Sequence, residues 1–198
     1  MSAAAVEEPM EQLTLPEAAE LISNQLPGYR VEIIGGQITV TPTPNMSHAR
    51  SVKRFDRLFI EAGLDDGETE VWQNISIRLP EGPFDYAVPD LAVTDADSDD
   101  RVMEHGAYDP AIFRLVLEVT SSNLSDDLKK KPFAYASAGV PIYVIVDRTN
   151  RRVMVLTDPK DGEYRLHAVH HPGQSFALPE SIGAAVTLSV DDVLAVKK

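Results

Sequence analysis

Two hydrophobic periods run along this chain, and the switches between them mark its elements. "TLPEAAELISNQLPG" reads as a helix, with Thr14 as N-cap, Pro16 in the first turn and a Pro-Gly stop. "YRVEIIGGQITVTPTP" follows as two short strands around Gly35-Gly36, a hairpin signal. Ser47 opens a second helix, "SHARSVKRFDRLFIEAG", whose His48, Val52, Phe55, Phe59 and Ala62 share one face. "EVWQNISIRLP" alternates as one half-exposed strand, and "FDYAVPDLAVT" reads as another that bends at Pro89. "DADSDDRVMEHGAYDPA" is polar and acidic and reads as a surface loop.

The alternation then stops. In "FRLVLEVTSSN", Leu115, Val116, Leu117 and Val119 leave no polar face, as in a strand covered on both sides, yet Glu118 sits among them. A carboxylate there must be paired, protonated or bound, because an isolated buried charge costs more than a fold can spare. A helix is expected over about 124–138, ending at Gly139, then a second buried strand, "VPIYVIVD". Leu124, Leu128, Lys131, Tyr135 and Ala138 fall on one face of that helix, so Lys131 turns inward while Lys129 and Lys130 do not. Pro132 lacks a backbone donor and should bend the helix. Hairpin-like segments and a short tail complete the chain.

Strands, one helix between two apolar strands, then more strands describe a mixed α/β or α+β sheet flanked by helices. If the strands on either side of that helix are parallel neighbours, the connection is a right-handed crossover. Residues 1–12 read as a disordered tail and 13–198 as one domain, a size that supports a substantial core. No apolar run approaches the roughly 18 residues a membrane span needs, and no secretion signal precedes the fold, so a cytoplasmic protein is expected. The absence of cysteine removes disulfides, thiolate zinc sites and cysteine nucleophiles. The net charge of −13 counts against nucleic-acid binding, which depends on neutralising phosphates, unless a local basic strip or divalent metals offset it.

Asp90, in "VPDLAV", lies at the lip of the strand that precedes the one holding Glu118. Two acids on adjacent strands can jointly hold a hard cation such as Mg2+ or Mn2+ through oxygen. Lys131 aimed at the same sheet fits an arranged pair with Glu118, a structural salt bridge, or a lysine that snorkels past Leu128 to solvent.

"VPDLAV", "RLVLEVTSSN", "SDDLKKKPFAYASAGVPIYVIVD" and "VEIIGGQITVTPTPNMSHAR" resemble the Uma-type family of restriction endonucleases, in the PD-(D/E)XK nuclease superfamily. The resemblance runs from about residue 14 to 190 and implies a restriction-endonuclease-like mixed central sheet, with an N-terminal helix and hairpin and a C-terminal hairpin. It implies a metal-dependent endonuclease acting on DNA, with Asp90 and Glu118 as acidic ligands of Mg2+ or Mn2+, and Lys131 as the displaced catalytic lysine. Glu32 would add to the acidic cluster, and the backbone carbonyl of Val119 to the ligands. The position where the superfamily pattern has its lysine is Thr120 here. Ile142 and Val144 stand where the family often has an acid and a tryptophan.

Arg50, Lys53, Arg54 and Arg57 on the second helix are the expected DNA contacts, although such spacing also marks an ordinary solvated face. Cutting both strands of a duplex favours a homodimer. The competing class is a catalytically inactive module that keeps the nuclease scaffold; a small phosphoester or RNA substrate would use the same site. His167, His170 and His171 read as edge-strand histidines and His48 as a packed or capping residue. "DADSDD" lacks the glycine and glutamate of a calcium loop. Ser121 and Ser122 have no nucleophile elbow around them.

Overall fold

The computed structural model describes residues 13–120 and 126–194, the side chains of residues 126 and 127 excepted. The expected tail at 1–12, the first residues of the expected 124–138 helix, Ser121 and Ser122 lie outside these. The first helix, α1 (Leu15–Gln25), has Thr14 as N-cap, and Glu17 accepts hydrogen bonds from the Thr14 N–H and hydroxyl. The hairpin pairs β1 (Arg30–Ile34) with β2 (Gln37–Thr41) across Gly35 and Gly36, at φ +59° and +68°. Two consecutive positive φ values are what a two-residue turn with the strands' own twist requires, and glycine adopts them without strain.

Period two divides β1 sharply. Val31 and Ile33 pack with Ala19 and Ile22 of α1, whereas Arg30, Glu32 and Ile34 face a cavity on the other side. The second helix, α2 (Met46–Glu61), is capped by Asn45, whose side chain accepts from the Ser47 and His48 N–H groups. It buries His48, Ser51, Val52, Phe55 and Phe59, the face expected from spacing.

The two alternating segments expected to be single strands are each split between two sheets. "EVWQNISIRLP" yields β3 (Thr69–Trp72) and β4 (Ile77–Arg78), and "FDYAVPDLAVT" yields β5 (Tyr86–Ala87) and β6 (Leu91–Asp95). Asn74, at φ +56°, breaks the first, and Pro89, which cannot donate to a ladder, stands at the break in the second. The four-stranded sheet runs β2-β1-β5-β4. The six-stranded sheet contains β7 (Phe113–Val119), β8 (Ile142–Asp147), β9 (Arg152–Lys160) and β10 (Glu163–His170), in the order β10-β9-β8-β7-β6-β3. Only β7 and β8 are parallel among its pairs, as their intervening helix suggests.

A π-helical turn over Asp126–Lys130 runs directly into α3 (Lys131–Ser137), and Pro132 stands just past the junction. The expected C-terminal tail carries structure: β11 (Ser175–Ala177) pairs with β12 (Thr187–Ser189), and α4 (Val190–Val193) follows.

The two faces of the large sheet bury different clusters. On one, Leu91, Val93, Leu115, Leu117 and Val119 pack with Val52, Phe55 and Phe59 of α2 and with the β11–β12 segment. On the other, Ala92, Val116, Tyr143 and Ile145 pack with Ala134 and Tyr135 of α3. Ile142 and Val144 lie in the first cluster, away from the cavity-facing acids.

The β8–β9 turn is fastened by Asp147, which accepts from Asn150 N–H and Nδ2 at 3.0 and 2.8 Å and from Arg152 Nε at 2.9 Å. Burial raises the Asp147 pKa, but these hydrogen bonds outweigh it and hold the carboxyl below its ordinary value. A depressed folded pKa gives stability that is present above the ordinary carboxylate range and lost as pH falls through the folded value. Asp147→Ala is expected to cost about 2 kcal/mol at pH 7, the scale of hydrogen bonds to a charged acceptor. Urea unfolding at pH 7 and pH 3 checks this, with the deficit shrinking at the lower pH.

Candidate active site

The antiparallel register Leu91↔Leu117 and Ala92↔Val116 carries one step further to place Asp90 beside Glu118. Pro89 helps: Asp90 stands just before β6 begins, where its carboxylate can reach across to β7. Its Oδ2 accepts the Val119 N–H at 2.8 Å. Glu118 shares the face of Val116, and α3 covers that face. Lys131 Nζ lies 2.7 Å from Glu118 Oε1, and Tyr135 Oη donates to the same oxygen at 2.9 Å. The helical spacing of Lys131 and Tyr135 is therefore what brings both to one carboxylate.

Glu32 closes the cluster from β1. Its Oε1 lies 3.1 Å from Lys131 Nζ and accepts the Val88 N–H at 2.8 Å. Asp90, Glu118, Glu32 and Lys131 are 3%, 2%, 2% and 4% exposed, so each charge depends on its partners rather than on water. The expected acids and lysine thus converge at the inner end of one cavity of about 410 Å3, which Val119 also lines.

Two residues of this centre were not singled out for it by sequence. Arg30 places one guanidinium nitrogen 2.5 Å from Asp90 Oδ1 and the other 3.7 Å from Glu118 Oε2, bridging the two acids. It also donates to Asn74 Oδ1 at 3.1 Å. The available signal was period two, which puts Arg30 on the face of Glu32. His48, expected to be packed or capping, is packed against the site itself: its Nε2 lies 2.9 Å from Asp90 Oδ2. Its Nδ1 is buried without a hydrogen-bond partner.

Electrostatics follow from this geometry. Burial alone would raise the Asp90 pKa, but the His48 hydrogen bond and the Arg30 guanidinium hold it well below the usual carboxylate range. Burial would lower the Arg30 pKa, and Asp90 and Glu118 reverse that. Burial, then the Glu118 charge, push the Tyr135 hydroxyl well above its ordinary value, so it stays a donor.

The donor set suits a hard divalent ion in one respect. Asp90 Oδ1 and Glu118 Oε2 already share a single cation, and that cation is Arg30. Among the described residues no group of three or more His, Cys, Asp or Glu side chains is arranged to hold a metal. A metal here would need the two carboxylates, oxygens from backbone, solvent or substrate, and the withdrawal of Arg30.

The remaining expected site residues lie elsewhere. Arg50, Lys53, Arg54 and Arg57 do not line the cavity. Arg54 pairs with Asp192 at 3.6 Å and Arg57 with Glu61 at 3.3 Å. His167 Nε2 contacts the Tyr164 carbonyl and His170 stacks on Phe176, both as local structural contacts. No described helix is long and apolar enough to cross a membrane.

A mixed sheet flanked by helices, with two acids brought together at the meeting of neighbouring strands, defines a restriction-endonuclease-like fold. Residues 15–191 match the model of Uma2, described as "Putative restriction endonuclease", and the chain belongs to that family. The crystal structure of a "putative nuclease belonging to DUF820" from Anabaena variabilis is similar, with a TM-score of 0.67 and 18% identity. That likeness covers 93% of this chain and 98% of the other. No curated protein matches the chain.

Proposed function

We propose that this protein is a metal-dependent endonuclease that hydrolyses phosphodiester bonds in DNA, with Asp90 and Glu118 as ligands of Mg2+ or Mn2+. The observation that carries the reading is the buried convergence of Asp90, Glu118 and Lys131 at the end of one cavity. Membership of a family described as restriction endonucleases supports DNA as the substrate. When bound, the metal would supply a water of lowered pKa and polarise a phosphate oxygen.

This chain's own residues take the other parts. Lys131, fixed between Glu118 and Glu32, holds an ammonium where it can donate to an attacking water or a phosphate oxygen as charge develops. Tyr135 fixes the Glu118 carboxylate from the opposite element, and His48 with the Val119 N–H fixes Asp90. Arg30, once released from the acids, is free to donate to the phosphate. Arg50 and Lys53, which have no acidic partner among the described residues, are the α2 positions left to meet DNA beyond the cavity. Two symmetric copies would cut both strands of a duplex.

Supercoiled plasmid with Mg2+ or Mn2+ tests this directly. Wild type is expected to nick or linearise it, while Asp90→Asn, Glu118→Gln and Lys131→Ala each lose at least about a hundredfold, the scale of a positioned charge or proton carrier. Equal cleavage by all four would mean that another site, or a contaminant, does the work.

One observation favours a second reading. Arg30 already pairs with both acids, as in a scaffold that has given up its metal and serves as a non-catalytic interaction module. Calorimetric titration with Mn2+ separates the two: no heat at millimolar metal supports the module.

A further inference from the structure

Several cations of the described residues are committed to acids. Arg30 and Lys131 hold the inner carboxylates, Arg114 holds Asp95, Arg101 holds Asp109, and Arg152 holds Asp147. Among the cations that line the cavity, Arg148 differs from Arg30 and Lys131. It lines the mouth of the active-site cavity, half-buried, and its guanidinium has no ion pair or hydrogen bond among the described residues. In a chain of net charge −13, an unpaired guanidinium beside an acidic centre is out of keeping with its surroundings.

Its placement is built rather than incidental. The Arg148 N–H donates to Thr120 Oγ1 at 3.1 Å, and Thr120 in turn donates from its N–H and its hydroxyl to the Val146 carbonyl, at 3.0 and 3.2 Å. Thr120 is two residues beyond Glu118, so the turn is bolted to the end of the strand that carries the acid. Asp147 holds the other side of the turn through Asn150 and Arg152. The backbone of Arg148 is therefore tied to the end of the strand that carries Glu118. Thr39 and Thr41 of β2 line the same cavity.

We infer that Arg148 and these threonines form a subsite for a phosphate of the polynucleotide strand next to the one being cut, an inference that rests on the nuclease reading above. A guanidinium binds phosphate through two parallel N–H donors, and hydroxyls are regular partners of nucleic-acid backbones. The inner cluster suffices to grip one phosphodiester. A second cationic position outside it serves only a substrate that continues past the scissile group. The subsite thus selects a polymer over a small phosphodiester and reads no base. It also answers the charge objection locally, by supplying backbone neutralisation at the cavity mouth.

The test measures binding of a fluorescent oligonucleotide with Ca2+ in place of the catalytic metal, over a salt series, for wild type, Arg148→Gln and Arg148→Lys. Arg148→Gln is expected to weaken binding about tenfold and to flatten the slope of log affinity against log salt by about 0.7–0.9, the loss of one phosphate contact. Arg148→Lys is expected to keep the slope. In Mn2+-dependent cleavage, Arg148→Gln should lose at least about five times more on the oligonucleotide than on bis(p-nitrophenyl) phosphate.

Unchanged oligonucleotide binding and slope, with wild-type cleavage intact, would overturn the subsite while leaving the nuclease reading standing. Equal losses on polymer and small diester would overturn it too, because they assign Arg148 to the inner centre. Wild type that cleaves neither substrate and binds no oligonucleotide would remove both.

Discussion

Lys131→Met is expected to lower the free energy of unfolding by about 3–5 kcal/mol, the cost of breaking a buried ion pair by removing one partner. The size follows from what is left behind. Glu118 and Glu32 both face Lys131 Nζ, at 2.7 and 3.1 Å, and both are almost wholly buried. Neither can recover hydration, and bringing a like-charged pair together without the ammonium adds repulsion. Adding Glu118→Gln to Lys131→Met should return part of the loss, because a neutral amide no longer needs the cation and can still accept from Tyr135. Urea denaturation of the two single variants and the double variant gives the coupling. A Lys131→Met cost below about 1 kcal/mol would mean that the lysine reaches solvent, as a snorkelling side chain would.

Arg30→Met is expected to tighten Mn2+ binding while making the metal-free protein less stable. Arg30 is the cation that Asp90 Oδ1 and Glu118 Oε2 share, so a divalent ion that takes both oxygens must first displace it. Freeing the charge-assisted hydrogen bond to Asp90 costs about 2 kcal/mol, which corresponds to roughly thirtyfold in affinity. Isothermal titration with Mn2+ reads the gain, and thermal unfolding without metal reads the loss. Arg30→Lys should fall between, since an ammonium keeps the charge but not the two-nitrogen reach. An affinity that is unchanged in Arg30→Met would place metal binding somewhere other than between these carboxylates.

The sequence carried the inner site further than the rest because two independent periodicities met there. An acid in a strand without a polar face, and a lysine on the apolar face of the next helix, each break a rule that apolar packing otherwise obeys. Their pairing at 2.7 Å resolves both exceptions at once. Arg30 escaped notice because an arginine at the start of a hairpin strand is unremarkable by composition. Only the register, which sets Arg30 and Glu32 on one side and Val31 and Ile33 on the other, gives it away.

His48 was legible as a packed residue, and it is one, but burial alone does not say what the imidazole packs against. The split strands failed for a related reason. Alternation reports that one face is buried and is silent on which sheet the segment joins. Asn74 and Pro89 mark the breaks, but an asparagine or a proline within an alternating run bends a strand as often as it ends one. The C-terminal β11, β12 and α4 are too short to show a period. Arg148 had no sequence signal, since a turn residue acquires meaning only from the cavity it borders.

A crystal soaked in Mn2+ and measured at the manganese absorption edge tests the central claim most directly. The predicted result is an anomalous peak between the carboxylates of Asp90 and Glu118, with the Arg30 guanidinium withdrawn and Lys131 still on Glu118. Manganese bound only elsewhere, with Arg30 still bridging the two acids, would contradict the assignment of these residues as a metal-dependent catalytic centre.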